Sequence, residues 1–193
     1  MRETKAAGID FVKVYSKLSR EMYFVIVREA RRQGIPVAGH VLVAVDATEA
    51  SDAGQRSVEH LSGIFESCST RSTDLRRVAW EDWTSAHDSL MLETYDEARC
   101  VRLFRRLARN GTVQVPTLSH LQSDHMSASE IVNDRRVRYL PASELRTWEP
   151  YLARLRPTET LLRRQYWEAR LRVVSAMRRA GVRFMSGADL GNP

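Results

Sequence analysis

Short apolar runs alternate with longer amphipathic stretches along this chain, and the alternation predicts strands followed by helices. Residues 9–15, Ile-Asp-Phe-Val-Lys-Val-Tyr, read as a buried, β-branched strand. Residues 1–8 before it read as the tail of a helix that ends at Gly8. Ser19 is a fitting N-cap for a helix over 20–33, with Met22, Phe24, Val25, Val27 and Ala30 on its apolar side and Gly34 beyond it. A second strand covers 35–41, where Pro36 fits only near the first residue. A short helix over about 47–53 stops at Gly54, and a third strand covers 57–61. Residues 62–93 mix polar loop with a helix around 72–88, and a strong amphipathic helix at 94–109 is stopped by Asn110-Gly111. The fourth strand is 112–118. A polar insertion, 119–157, reads as helical in parts, a long helix over 158–180 ends at Gly181, and a fifth strand covers 182–187.

Strand and helix thus take turns, with no hairpin signal between neighbouring strands. That order predicts an α/β protein with a parallel sheet and right-handed crossovers. No G-x-G-x-x-G or other glycine-rich phosphate loop follows a strand, which argues against a dinucleotide fold. An open sheet or a portion of a (β/α)₈ barrel remains. Such barrels take about 250 residues, so five strands in 193 residues amount to part of one, a single incomplete domain over 1–193.

Composition narrows the function. No apolar run reaches the roughly 18 residues of a membrane span, and Met1-Arg2-Glu3-Thr4-Lys5 has no signal-peptide core. A cytoplasmic location is the default, and Cys68 and Cys100 are expected as reduced thiols. The net charge of +6 comes from arginines spread over helices in pairs such as Arg31-Arg32 and Arg105-Arg106. They lack the interleaved aromatics or finger motifs of a nucleic-acid module, so no nucleic-acid or membrane partner is expected.

One residue does not suit a strand core. Lys13 sits between two valines, and an unpaired ammonium is costly to bury. On an edge strand it would face solvent. Desolvated, it would lose its proton more readily. A neutral amine adds carbon dioxide to give a carbamate, an anion able to bridge two metal ions. Period-two alternation places Phe11, Lys13 and Tyr15 on one face and Val12 and Val14 on the other. His40 ends the second strand, His60 ends the third, and Asp189 follows the fifth. In parallel α/β proteins that edge is the ligand-binding edge. Two imidazoles, a carboxylate and a carbamate are suitable ligands for a divalent ion such as zinc. Tyr15 reads equally as packing or as a substrate contact. His120, after the fourth strand, either lines the pocket mouth or is exposed, and exposure is expected more strongly of His125.

The segments Asp10-Phe-Val-Lys13-Val-Tyr, Pro36-Val-Ala-Gly-His40-Val, Ser57-Val-Glu-His60-Leu and Ser186-Gly-Ala-Asp189-Leu-Gly-Asn-Pro resemble the amidohydrolase superfamily. They are most similar to its imidazolonepropionase-like and Xaa-Pro or Xaa-Arg dipeptidase branch. The resemblance implies a partial TIM-like (β/α)₈ barrel, from its fourth to its eighth strand, holding one or two divalent ions, usually zinc. In it Lys13 matches the carboxylated, metal-bridging lysine, His40 and His60 match ligands of the second ion, and Asp189 matches the aspartate that binds the first ion and shuttles the proton. It further implies hydrolysis of a carbon–nitrogen bond in a small cyclic amide or dipeptide by activated water. The family's strand-one His-x-His pair and its small β-sandwich have no counterpart in this sequence. The expectation is therefore a fragment with low activity alone, which would associate with a missing N-terminal part or with itself. An inactive relic of the same fold is the alternative, and an arginine-rich anion or nucleic-acid binder is less favoured.

Overall fold

The computed structural model describes residues 5, 6, 8–155 and 160–189, without the side chains of Trp80 and Thr160. Much of the helix tail expected at 1–8, the first residues of the helix expected at 158–180 and the segment 190–193 lie outside the described residues. In order, the elements are β1 Val12–Val14, α1 Arg20–Gln33, β2 Val37–Gly39, α2 Ala47–Ala53, β3 Ser57–Glu59, α3 Ile64–Cys68 and α4 Ser72–Leu75. They continue with α5 Ser85–Glu93, α6 Glu97–Asn110, β4 Val113–Val115, α7 Leu118–Ser123, α8 Ala128–Val132, α9 Ala142–Leu152 and α10 Thr160–Arg179. The chain divides into two compact units, residues 1–116 with 172–186 and residues 117–171 with 187–193.

In the first unit the strands pair in parallel, as two two-stranded sheets. β1 runs beside β2, with Lys13 opposite Ala38, and β3 runs beside β4, with Val58 opposite Gln114. Single parallel bridges extend the array, Val37 to Gln55 and Gln114 to Phe184. The result is a helix-rich α/β fold with small parallel sheets. Each strand is only three residues long, shorter than the pattern predicts. The expected fifth strand at 182–187 is reduced to its bridge at Phe184. The reason is local: that segment meets β4 only around Gln114, whose N–H donates to the Arg183 carbonyl and whose carbonyl accepts from Met185.

The helices follow their end signals. The Ser19 hydroxyl accepts from Met22 N–H at the start of α1, and Gly34 closes it at a φ of 70°. Asp46 and Glu49 form a capping box on α2, and Gly54 ends it at a φ of 101°. The helix expected around 72–88 is instead broken into α4, a 3₁₀ turn at Trp80–Asp82 and α5. Thr84 starts α5 afresh with its own capping box, and His87 supplies the reciprocal side chain. The strand and helix faces meet in a core that includes Val14, Tyr23, Leu42, Val58, Phe65, Phe104 and Met177. Each such side chain contributes about 1.5–3 kcal/mol of burial.

Cys68 and Cys100 are not reduced. They form a disulfide between α3 and α6, with Cα atoms 4.8 Å apart, and both are fully buried. The pairing of those two helices, not the spacing of 32 residues, brings the thiols together. The cysteines therefore give no support to the reduced, cytosolic expectation. No described helix is long and apolar enough to cross a membrane.

Candidate metal centre

The strand order delivers three of the anticipated residues to one place in the first unit. β1 carries Lys13, β2 leads into His40, and β3 leads into His60. Gly39 makes the approach of β2 to β1 possible. Its φ is 116°, and a Cβ there would stand 2.2 Å from the Val14 carbonyl oxygen. Beyond it the His40 N–H donates to that same oxygen at 3.1 Å, which fixes the imidazole at the strand exit.

His40 is buried, and its Nδ1 lies 2.7 Å from the Ser16 hydroxyl. Its ring packs edge-on to His60, with centroids 4.9 Å apart, and against the exposed Tyr15 ring at 4.3 Å. His60 leaves β3 in the left-handed region, at a φ of 59°, and Leu61 follows at 57°. Consecutive strand residues point to opposite faces. The left-handed turn breaks that alternation, so Glu59 and His60 share one site. Glu59 Oε2 stands 4.0 Å from His60 Nε2. Ligand atoms of His40, Glu59 and His60 all lie within 4.8 Å of one another.

Lys13 reaches this group through Glu59, whose Oε2 lies 2.8 Å from the lysine Nζ. The lysine side chain is 49% exposed. The desolvation expected to drive off its proton is therefore not met, because β1 is an edge strand and its outer face carries Phe11, Lys13 and Tyr15 toward solvent.

Two fixtures hold the site and were not read from the sequence. Gln55 is 1% exposed. Its amide Nε2 donates to the carbonyls of Gly39 at 3.0 Å, Ser57 at 2.9 Å and, more weakly, His40 at 3.3 Å. Its Oε1 accepts from the Tyr23 hydroxyl at 2.7 Å. Burial is the first cause that pushes the Tyr23 hydroxyl above its ordinary pKa, with Glu49 adding to it. Ser62 is the second fixture: it accepts from Val41 N–H and donates to the Glu59 carbonyl, tying the two histidine-bearing loops together. Glu59 itself was visible as the residue before His60, but nothing in a period-two pattern places it on the histidine's side.

The other anticipated residues belong to the second unit. His120 Nε2 and Asp189 Oδ2 are 4.0 Å apart, and Asp189 has a φ of 49°. His120 and His125 are both part-covered rather than exposed. The His125 ring stacks on Trp167 with centroids 5.0 Å apart, and burial is the main cause that lowers its pKa.

No family model and no curated protein matches the chain. Among solved structures, a bottromycin amidohydrolase aligns over 99% of this chain and 40% of its own, with 27% identity and a TM-score of 0.71. The crystal structure of A. niger ochratoxinase aligns over 100% of this chain and 34% of its own, with 18% identity and a TM-score of 0.52, a likeness of fold. The chain thus spans well under half the length of either neighbour. The first neighbour is by its name an amidohydrolase, and this chain is similar to it in fold and, at 27% identity, in sequence.

Proposed function

We propose that this chain is the C-terminal portion, from the fourth to the eighth strand, of a (β/α)₈ amidohydrolase barrel that hydrolyses an amide bond with the help of a divalent ion. The observation that carries the reading is the convergence of His40, Glu59 and His60 in a fold similar to amidohydrolases. The donor set fits zinc, which takes imidazole nitrogen and carboxylate oxygen at about 2 Å. Donors around a tetrahedral ion with such bonds stand about 3.3 Å apart, so the Glu59–His60 pair, at 4.0 Å, and the whole group, within 4.8 Å, need a small inward adjustment to hold it. With Ser16 on Nδ1, the ligand role of His40 falls to Nε2. An ion held there would supply Lewis-acid and water-activating chemistry for attack on an amide carbonyl.

The chain's own residues then have distinct tasks. Lys13, as an ammonium 2.8 Å from Glu59, competes with a cation for that carboxylate. As a carbamate, formed when the neutral amine adds carbon dioxide and releases a proton, it would be an anion able to help hold the ion. For Asp189 the role proposed is the one that the resemblance implies, a carboxylate that takes a proton from water and returns it to the leaving nitrogen; within its own unit it lies 4.0 Å from His120. Tyr15, exposed and packed against the His40 ring, is the proposed substrate contact. The substrate proposed is a small cyclic amide or a dipeptide.

The test is hydrolysis of a dipeptide and cyclic-amide panel by the zinc-supplemented chain, alone and with chelator. Turnover that chelator stops, and that His60→Ala and Asp189→Asn abolish, supports the reading. Turnover that survives chelator and both variants refutes it.

A further inference from the structure

The packing of α6 against α2 and α3 leaves an open cleft of about 540 Å³ within the first unit. Five arginines of α6 line it: Arg99, Arg102, Arg105, Arg106 and Arg109. Steps of three and four residues return to the same side of a helix, so these arginines form one row. Cys100, Phe104 and Leu107, on the opposite side, are buried in the core. Like charges four residues apart destabilise a helix by about 0.2–0.5 kcal/mol a pair. Arg102 with Arg106 and Arg105 with Arg109 are such pairs.

Little in the protein offsets this charge. Arg106 is matched, since its Nε and Nη2 donate to the two oxygens of Asp52. Arg99 gives Nη2 to the neutral Ser72 hydroxyl at 3.0 Å. Arg102 and Arg105 are exposed and make no hydrogen bond or ion pair among the described residues. Arg109, exposed too, exerts only an unbonded pull on Asp52. The carboxylate in the lining, Asp46, is already taken up by Arg76 Nη1 at 2.9 Å and by the Thr48 N–H at 2.8 Å. A concave space thus keeps an excess of reachable positive charge.

The shape of that excess says which anion suits it. Arg102 to Arg109 covers about 10 Å of helix axis, so an anion that meets Arg102, Arg105 and Arg109 together is elongated and carries several charges. The planar guanidinium fork matches phosphate oxygens in pairs. The volume lies within the range of small-molecule sites. We propose that this cleft binds a chain of linked phosphates, either an inorganic triphosphate or the triphosphate of a nucleotide, along Arg102, Arg105 and Arg109. It shares no residue with the histidine group and stands independently of the function proposed above.

The test is calorimetric titration of the metal-free full chain, with chelator dialysed away, in about 0.15 M chloride to screen weak surface attraction. The probes are sodium triphosphate, adenosine triphosphate and orthophosphate. Triphosphate should bind one to one and at least about 10-fold more tightly than orthophosphate, because it reaches more of the row. An Arg102→Gln, Arg105→Gln double variant should bind it at least about 10-fold more weakly, yet melt no lower than the wild type without ligand, since it removes like-charge pairs. An Arg178→Gln, Arg179→Gln double variant loses the same charge outside the cleft and should bind as the wild type does. Tighter binding of adenosine triphosphate than of triphosphate would support a nucleotide as the source, and the reverse would support the inorganic chain. Equal weakening in the two double variants would reduce the effect to net charge and overturn the proposal. So would equal affinity for triphosphate and orthophosphate, or binding of an oligonucleotide or acidic peptide with none of triphosphate.

Discussion

Replacing Gln55 by leucine tests how the histidine site is held. The wild-type side chain makes two well-formed bonds, to the Gly39 and Ser57 carbonyls, and accepts one from Tyr23. At about 1 kcal/mol net for each of three bonds, the variant loses about 3 kcal/mol, and the stranded buried carbonyls add to that. Tyr23→Phe removes one of the three bonds and costs about 1 kcal/mol. Because both single variants break the Tyr23–Gln55 bond, the double variant should be less destabilised than their sum by about 1 kcal/mol. Urea unfolding followed by circular dichroism reads these values, and a urea m-value of about 2 kcal/mol/M makes the Gln55→Leu shift roughly 1.5 M. Zinc affinity should fall in Gln55→Leu as well, since the Gly39 and His40 carbonyls lose their anchor. A coupling of zero between the two positions, or unchanged zinc affinity in Gln55→Leu, would refute the clamp.

Other consequences are equally direct. Reducing the Cys68–Cys100 bond frees a loop of 32 residues and should cost about 4 kcal/mol on the chain-entropy scale. Identical melting with and without reductant would show that the bond contributes nothing. Gly39→Ala should cost about 3 kcal/mol or more, because its Cβ would meet the Val14 oxygen at 2.2 Å. Gly34→Ala, with nothing within 4 Å of the added carbon, should cost about 1 kcal/mol, and equal losses would undo the steric account. The Glu49 carboxyl lies below its ordinary pKa, first because Arg20 hydrogen-bonds it and then through the Asp46 N–H and nearby arginine charge, against the raising effect of burial. A depressed folded pKa stabilises above the unfolded value of 4.5, and that contribution fades as pH falls through the folded value. Glu49→Gln keeps the capping box but should flatten this acid limb in denaturation curves taken at stepped pH, and an unaltered limb would count against it.

How far the sequence reached depended on whether the signal was local. α1 and α2 have the bounds the pattern predicts, because Ser19 and Asp46 cap their starts and Gly34 and Gly54 close their ends. The strands proved shorter, since apolar alternation marks burial while pairing depends on neighbours far along the chain. His40 and His60 were legible as strand-end polar residues, and the structure brings them together. Glu59 was not, because only the left-handed backbone at His60 sets it beside the histidine. Gln55 read as an ordinary loop amide; its role rests on three carbonyls whose convergence no spacing announces. The disulfide was misread for the same reason, as helix-on-helix packing decides it.

The most direct test of the account is zinc calorimetry on the chelator-stripped chain. It predicts tight binding of zinc in the wild type, at least 10-fold weaker binding in Glu59→Gln, and none in a His40→Ala, His60→Ala double variant that still folds. A wild-type chain that takes up no zinc, or a double variant that binds it as well as the wild type, would contradict the central claim.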